Sequence, residues 1–182
     1  IVMDDGTTTR ISENHYHMTT TTAQAANVLS HLEYYLQLVW PELNVNVVST
    51  TEQWAGAAIA GPKSRDLLQK LFPKTDVSNE GLPFMGYVEG DLFGVKARIF
   101  RISFSGELAY ELSIPTQYAS SLVSHLMEIG KDENIIPYGT EALGVMRIEK
   151  GHAAGAELNG TISALNLNLG KMVSHKKDSI GM

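Results

Sequence analysis

The chain has 182 residues, of which 43% are hydrophobic and 19% charged, with a formal net charge of −6. That is enough for one sizeable core, in a composition without disorder or low complexity beyond the short run Thr19–Thr22. The acidic balance argues against a general nucleic-acid binder, since phosphate affinity needs clustered Lys and Arg. The lack of cysteine excludes disulfides, thiolate catalysis and cysteine metal sites, and no apolar stretch approaches transmembrane length. These features fit a cytoplasmic protein without membrane association.

In chain order, Ile1–Met3 and Ser12–Met18 read as short strands flanking the turn-rich Asp4-Asp5-Gly6. From about Thr22 to Trp40, Ala25, Val28, Leu32, Leu36 and Val39 recur at helical spacing, and Pro41 ends the helix. Residues 44–50 alternate Val45 and Val47 with polar neighbours and read as a strand, followed by a second over Trp54–Ala60. Gly61-Pro62 opens a short helix carrying Leu67, Leu68 and Leu71.

Met85–Glu89, Gly94–Phe104 and Leu108–Ile114 read as strands, with Ser105-Gly106 as a two-residue hairpin turn. Pro115 begins a helix with Tyr118, Leu122 and Leu126 on one face, stopped by Gly130. A last helix over Thr140–Lys150 groups Ala142, Val145, Met146 and Glu149, and beyond Gly151 the sequence is irregular. Helices and strands interleave, but the hairpin and meander signals favour antiparallel pairing, so the expected class is α+β with mixed or antiparallel sheets and packed helices.

Little in the sequence carries chemistry by itself. The six histidines have no metal spacing; His15 and His17 share a strand face, but no third ligand is evident. Gly86, Gly90 and Gly94 are spaced by turns and form no dinucleotide fingerprint. The informative segment is 98–115. With the turn at Ser105-Gly106, Phe104 pairs with Glu107, Ile102 with Ala109 and Phe100 with Glu111. Phe100, Ile102, Phe104, Ala109, Glu111 and Ser113 then share one face, while Leu108, Tyr110, Leu112 and Ile114 form an apolar face to bury against helices. Glu111 is either solvated on an open face, or a carboxylate beside aromatic rings that needs donors. A flat heterocycle with an amidine-like N–H edge would supply them.

Four motifs in order, across nearly the whole chain, resemble the folate-binding T-protein (aminomethyltransferase) family. They are Met3-Asp4-Asp5, Gly61-Pro62-Lys63-Ser64, the run Arg101 to Leu112 with Phe104, Ser105-Gly106-Glu107 and Tyr110-Glu111, and Tyr138-Gly139-Thr140-Glu141-Ala142 leading into Arg147, Glu149 and Gly151. Within the family, Asp4-Asp5-Gly6 with Met18–Thr22, residues 51–55, residues 137–142 and Lys176–Gly181 are most similar to the C-terminal half of heterotetrameric sarcosine oxidase alpha subunits. Leu143 stands where T-proteins usually carry an arginine that helps hold folate, a departure that suits the oxidase branch.

The resemblance implies a folate-binding domain over residues 1–150, N-terminally incomplete, with 151–182 as an extension of it. It implies tetrahydrofolate as ligand, with Glu111 at the pterin edge, Phe104 beside the pterin ring and Thr19 as a further polar contact. Asp4, or Asp5, would be the catalytic carboxylate beside the reacting nitrogens; read from pattern alone, Asp4-Asp5-Gly6 is a simple turn. FAD, FMN and NAD would belong to the parent complex outside this chain, and the other oxidase subunits would be its partners in a hetero-oligomer. With no initiator methionine, the chain is expected to be a fragment without oxidase activity of its own. A glycine-cleavage aminomethyltransferase and a non-catalytic folate-fold assembly module are the alternatives.

Overall fold

A computed structural model describes residues 1–176 and 180. The chain separates into two compact units, one formed by residues 1–49 with residues from 153 onward, the other by residues 50–152.

In the first unit, β1 (Thr8–Ser12) and β2 (His15–Met18) make an antiparallel hairpin with an irregularity between Arg10 and Ser12. A single 3-10 turn over Thr22–Gln24 leads into α1 (Ala25–Tyr34) and then a π-helical turn over Tyr35–Val39. The turn closes when the Trp40 amide donates to the Tyr35 carbonyl at 2.7 Å, and Pro41 permits no further bond of that kind. The expected helix over 22–40 is therefore present in three consecutive pieces.

Two expected strands are not. Val2 instead makes two backbone hydrogen bonds with the distant segment 160–162, to Ile162 O at 2.8 Å and from Gly160 N at 2.9 Å. Residues 44–50 pair with no strand and leave Val45, Val47 and Val48 exposed. Alternation alone makes a strand only where another edge is available to satisfy its backbone.

The second unit holds a four-stranded antiparallel sheet of order β3 (Trp54–Ala60), β6 (Ala109–Pro115), β5 (Val95–Phe100) and β4 (Tyr87–Leu92). One face packs against α2 (Ser64–Leu71) and α3 (Ala119–Ile129). Its core joins Ile59, Leu68, Phe72, Ile99, Tyr110, Leu112, Ile114 and Leu122. Leu67, Leu68 and Leu71 on α2, and Leu122 and Leu126 on α3, are the buried helical stripes anticipated from spacing. α2 begins at Ser64, two residues after Pro62. The α+β class is borne out, with antiparallel pairing throughout the described sheets.

The register of β5 on β6 matches expectation: Phe100 faces Glu111 and Arg98 faces Ser113. The turn does not. The ladder stops at Phe100, and residues 101–108 form a wide loop instead of a tight hairpin at Ser105-Gly106. Two serine hydroxyls divert the backbone: Ser103 Oγ accepts from Gly106 N at 3.0 Å, and Ser105 Oγ from Glu107 N at 3.4 Å. The two-residue hairpin of this sheet lies at Phe93-Gly94, between paired Leu92 and Val95, where both residues have positive φ (54° and 84°) as a type I′ turn requires. α4 (Thr140–Lys150) completes the unit with the bounds expected from sequence.

Candidate functional site

Antiparallel pairing decides what surrounds Glu111. On β6, Tyr110, Leu112 and Ile114 point into the helical core and are essentially inaccessible. The alternate residues Ala109, Glu111 and Ser113 therefore project from the opposite face. Ala58 of β3 lies opposite Glu111 on one side and Phe100 of β5 on the other. Farther along the same face, the Arg98 guanidinium lies 4.0 Å above the centre of the Trp54 ring.

Over Glu111 the loop 101–108 and the start of α4 enclose a cavity of about 190 Å³, lined by Ala58, Ile102, Phe104, Ser105, Ala109, Glu111, Tyr138 and Leu143. Small residues at 58 and 109 make the floor, because any larger side chain beside Glu111 would fill the space. The loop supplies Ile102, Phe104 and Ser105, and α4 supplies Leu143. The volume is below the roughly 300 Å³ at which pockets for whole drug-sized ligands begin, so it admits a ring system and not a long tail.

Glu111 is the one ionisable carboxylate of this lining. Burial raises its pKa above the ordinary carboxylate value, and no cation among the described residues offsets the effect. Burial, and next the Glu111 charge, push the Tyr138 phenol up in turn. An acceptor without a donor among the described residues, lined by Phe104, Tyr138 and Leu143, is complementary to a flat ligand that presents N–H groups and carries positive or amidine-like character.

Phe104 is held from below. Its carbonyl accepts a hydrogen bond from His152 Nδ1 at 2.9 Å, and its ring stacks on the imidazole with centroids 5.9 Å apart and planes at 21°. Ser105, buried, places its hydroxyl 3.5 Å from that of Ser103.

The remaining residues singled out from sequence lie in the first unit. Asp4 binds Thr21 twice: Oδ2 accepts from the amide at 2.9 Å and Oδ1 from the hydroxyl at 2.8 Å. Its carboxylate thereby ties the chain terminus to the residue that opens the helical segment. Gly6 passes beneath Thr19 so closely that a Cβ there would come 1.9 Å from the Thr19 carbonyl oxygen, which accounts for glycine after Asp4-Asp5. Thr19 Oγ1 accepts from the Thr7 amide and lies 3.0 Å from the Thr7 hydroxyl. Asp5 is exposed. Glu111 and Phe104 thus share one cavity, while Asp4 and Thr19 belong to the other unit.

Sequence reasoning did not select Tyr138 or Ser105 as site residues. Both lie inside the segments that carry the resemblance, and the signal for Tyr138 is an aromatic directly before a Gly-initiated helix. Of the segment Lys176–Gly181, residues 177–179 and 181 fall outside the described residues.

Fold and site together define an α+β domain whose cavity sets one carboxylate, Glu111, among aromatic and aliphatic side chains. The chain belongs to the GCVT N-terminal domain family, whose sequence profile matches residues 1–177. It is 52% identical over 99% of its length to a sarcosine oxidase subunit alpha of Rhizobium meliloti, and 45% identical over 100% to one of a Corynebacterium species. It is also 33% identical over 73% of its length to an aminomethyltransferase of Halothermothrix orenii, of which it covers 37%. The chain spans about a fifth of the two alpha subunits, 18% and 19% respectively. The resemblance drawn from the four motifs is borne out, and so is the similarity to the oxidase branch. Leu143, read from sequence as standing in place of a T-protein arginine, lines the cavity. No described helix is long and apolar enough to cross a membrane.

Proposed function

We propose that this chain is the tetrahydrofolate-binding domain of a sarcosine oxidase alpha subunit, receiving the one-carbon unit of oxidised sarcosine. The observation that carries the reading is Glu111, a half-buried acceptor lining a cavity with aromatic and aliphatic walls. The donor set fits a pterin. Its amino-pyrimidinone edge presents two N–H groups to one carboxylate, and Phe104 and Tyr138 would flank the ring. Tetrahydrofolate, when bound, supplies the nucleophilic nitrogens that accept the one-carbon unit.

The chain's own residues bind and orient. Glu111 fixes the ring edge and sets its direction; Phe104, Tyr138 and Leu143 exclude water from the ring faces. Asp4, held by Thr21, is proposed as the carboxylate that stabilises positive charge near the reacting nitrogens, with exposed Asp5 beside it in sequence. Thr19, positioned by Thr7, would add a polar contact. Oxidation of sarcosine is assigned to flavin bound by other polypeptide, since no dinucleotide fingerprint occurs in this sequence. FAD, FMN and NAD, and the remaining subunits of a cytoplasmic hetero-oligomer, belong to that larger assembly. The word "subunit" in the relatives' names supports this reading.

The test is a product partition in the full-length protein. With sarcosine and tetrahydrofolate supplied, wild type is expected to yield methylenetetrahydrofolate. Glu111→Ala is expected to release formaldehyde instead, at an unchanged rate of sarcosine oxidation. An unaltered product ratio in Glu111→Ala would remove the pocket from the reaction.

A further inference from the structure

The aromatic wall of the cavity stands on a loop, and loops supply poor walls. Residues 101–108 lie outside the β5–β6 ladder. A side chain on such a segment samples several rotamers, and ordering it on ligand binding costs about 0.5–1.5 kcal/mol. Phe104 is nonetheless placed, and the groups that place it come from the end of α4.

That end has an unusual reach. Gly151 adopts φ 86°, a left-handed conformation that glycine enters without a Cβ clash. The Gly151 amide donates to Ile148 O at 3.0 Å and the His152 amide to Arg147 O at 2.8 Å, the two bonds of a Schellman cap. Arg147 Nη1 closes the turn by donating to the His152 carbonyl at 3.1 Å. His152 therefore has its backbone held at both its N–H and its C=O, which fixes the direction in which its side chain leaves the chain.

In that direction lies Phe104. A carbonyl oxygen only accepts, so the 2.9 Å contact from His152 Nδ1 to Phe104 O requires the proton on Nδ1. The same imidazole stacks beneath the Phe104 ring. The Lys150 stem meets the loop a second time at Gly106, where an added Cβ would lie 2.8 Å from three of its carbons. The helix terminus thus clamps the loop at two points, one through a ring and one through an aliphatic chain.

We infer that His152 is a positioning residue: it preorganises Phe104 as the aromatic wall of the pocket and raises ligand affinity without touching ligand. The pocket's ligand is the one proposed above, so the inference rests on that reading. Arg147 and Gly151, the first and last residues of the Arg147-x-Glu149-x-Gly151 segment, acquire a physical role as the residues that aim His152.

The experiment uses the full-length protein with 4-fluorophenylalanine at position 104, read by fluorine NMR, together with titration by tetrahydrofolate. His152→Ala is expected to weaken binding about tenfold, the worth of one hydrogen bond, and to shift and broaden the fluorine resonance. His152→Asn, which returns an N–H donor near the Nδ1 position, is expected to recover most of the affinity. A fluorine signal and a dissociation constant both unmoved by His152→Ala would overturn the proposal. So would lost affinity with an unchanged fluorine signal, which assigns the effect to general destabilisation. Glu111→Gln separates the two layers. If it leaves binding intact, the pocket reading fails, while the fluorine signal of His152→Ala still decides whether His152 holds Phe104.

Discussion

Glu111→Gln keeps the shape of the side chain, removes its charge, and puts an amide donor where the pocket offers only an acceptor. No other lining residue carries a charge, so nothing in the cavity compensates. Hydrogen bonds to a charged group are worth about 1.5–3 kcal/mol each. Glutamine keeps one acceptor and turns the other against an N–H of the ligand, for a loss of about 2–4 kcal/mol. That corresponds to a dissociation constant for tetrahydrofolate raised roughly 30- to 1,000-fold.

The same substitution has the opposite effect on the ligand-free protein. Burial holds the Glu111 pKa above its ordinary value of 4.5. As pH rises from that value through the raised one, the unfolded chain has already released a proton that the folded protein still holds. Folding stability therefore falls across this window and stays lower above it. Without ligand, the variant should melt at a higher temperature than wild type at neutral pH, and the difference should vanish below the ordinary carboxylate range. Calorimetric titration and thermal melts at several pH values test the two halves. A dissociation constant within threefold of wild type, or a variant that melts lower at neutral pH, refutes the reasoning.

Other consequences follow from single contacts. Tyr110 is fully buried, its hydroxyl without a hydrogen-bond partner among the described residues, so Tyr110→Phe should leave the melting temperature unchanged or slightly raised; a clear drop would mean the hydroxyl is satisfied. Leu68, wholly inaccessible between α2 and the sheet, should cost about 2–5 kcal/mol when cut to alanine, read from denaturant titration. Gly106→Ala forces a side chain onto a φ of 87° and against Lys150, and should lower stability by about 1–2 kcal/mol in thermal melts. Asp4→Asn keeps one of two acceptors for Thr21, so the protein should stay folded while one-carbon transfer to folate drops about a hundredfold; unchanged transfer would confine Asp4 to its structural bond.

Sequence alone determined most of the local architecture. Helical spacing located α1, α2, α3 and α4, and on α2 and α3 the leucines it grouped every three or four residues are the ones the fold buries. Alternation along β6 separated its core face from the face of Glu111, and even the pairing of Phe100 with Glu111 was legible, since a slip of one residue would expose Tyr110 and Leu112. Tertiary structure decided what alternation and propensity leave open. Residues 44–50 carry a strand's pattern but no neighbouring edge, and the Ser105-Gly106 turn gave way to a loop because Ser103 and Ser105 bind the backbone themselves. Only the folded chain brings Tyr138 and Leu143 over Glu111, and His152 under Phe104. Those contacts join residues tens of positions apart, and no local periodicity encodes them.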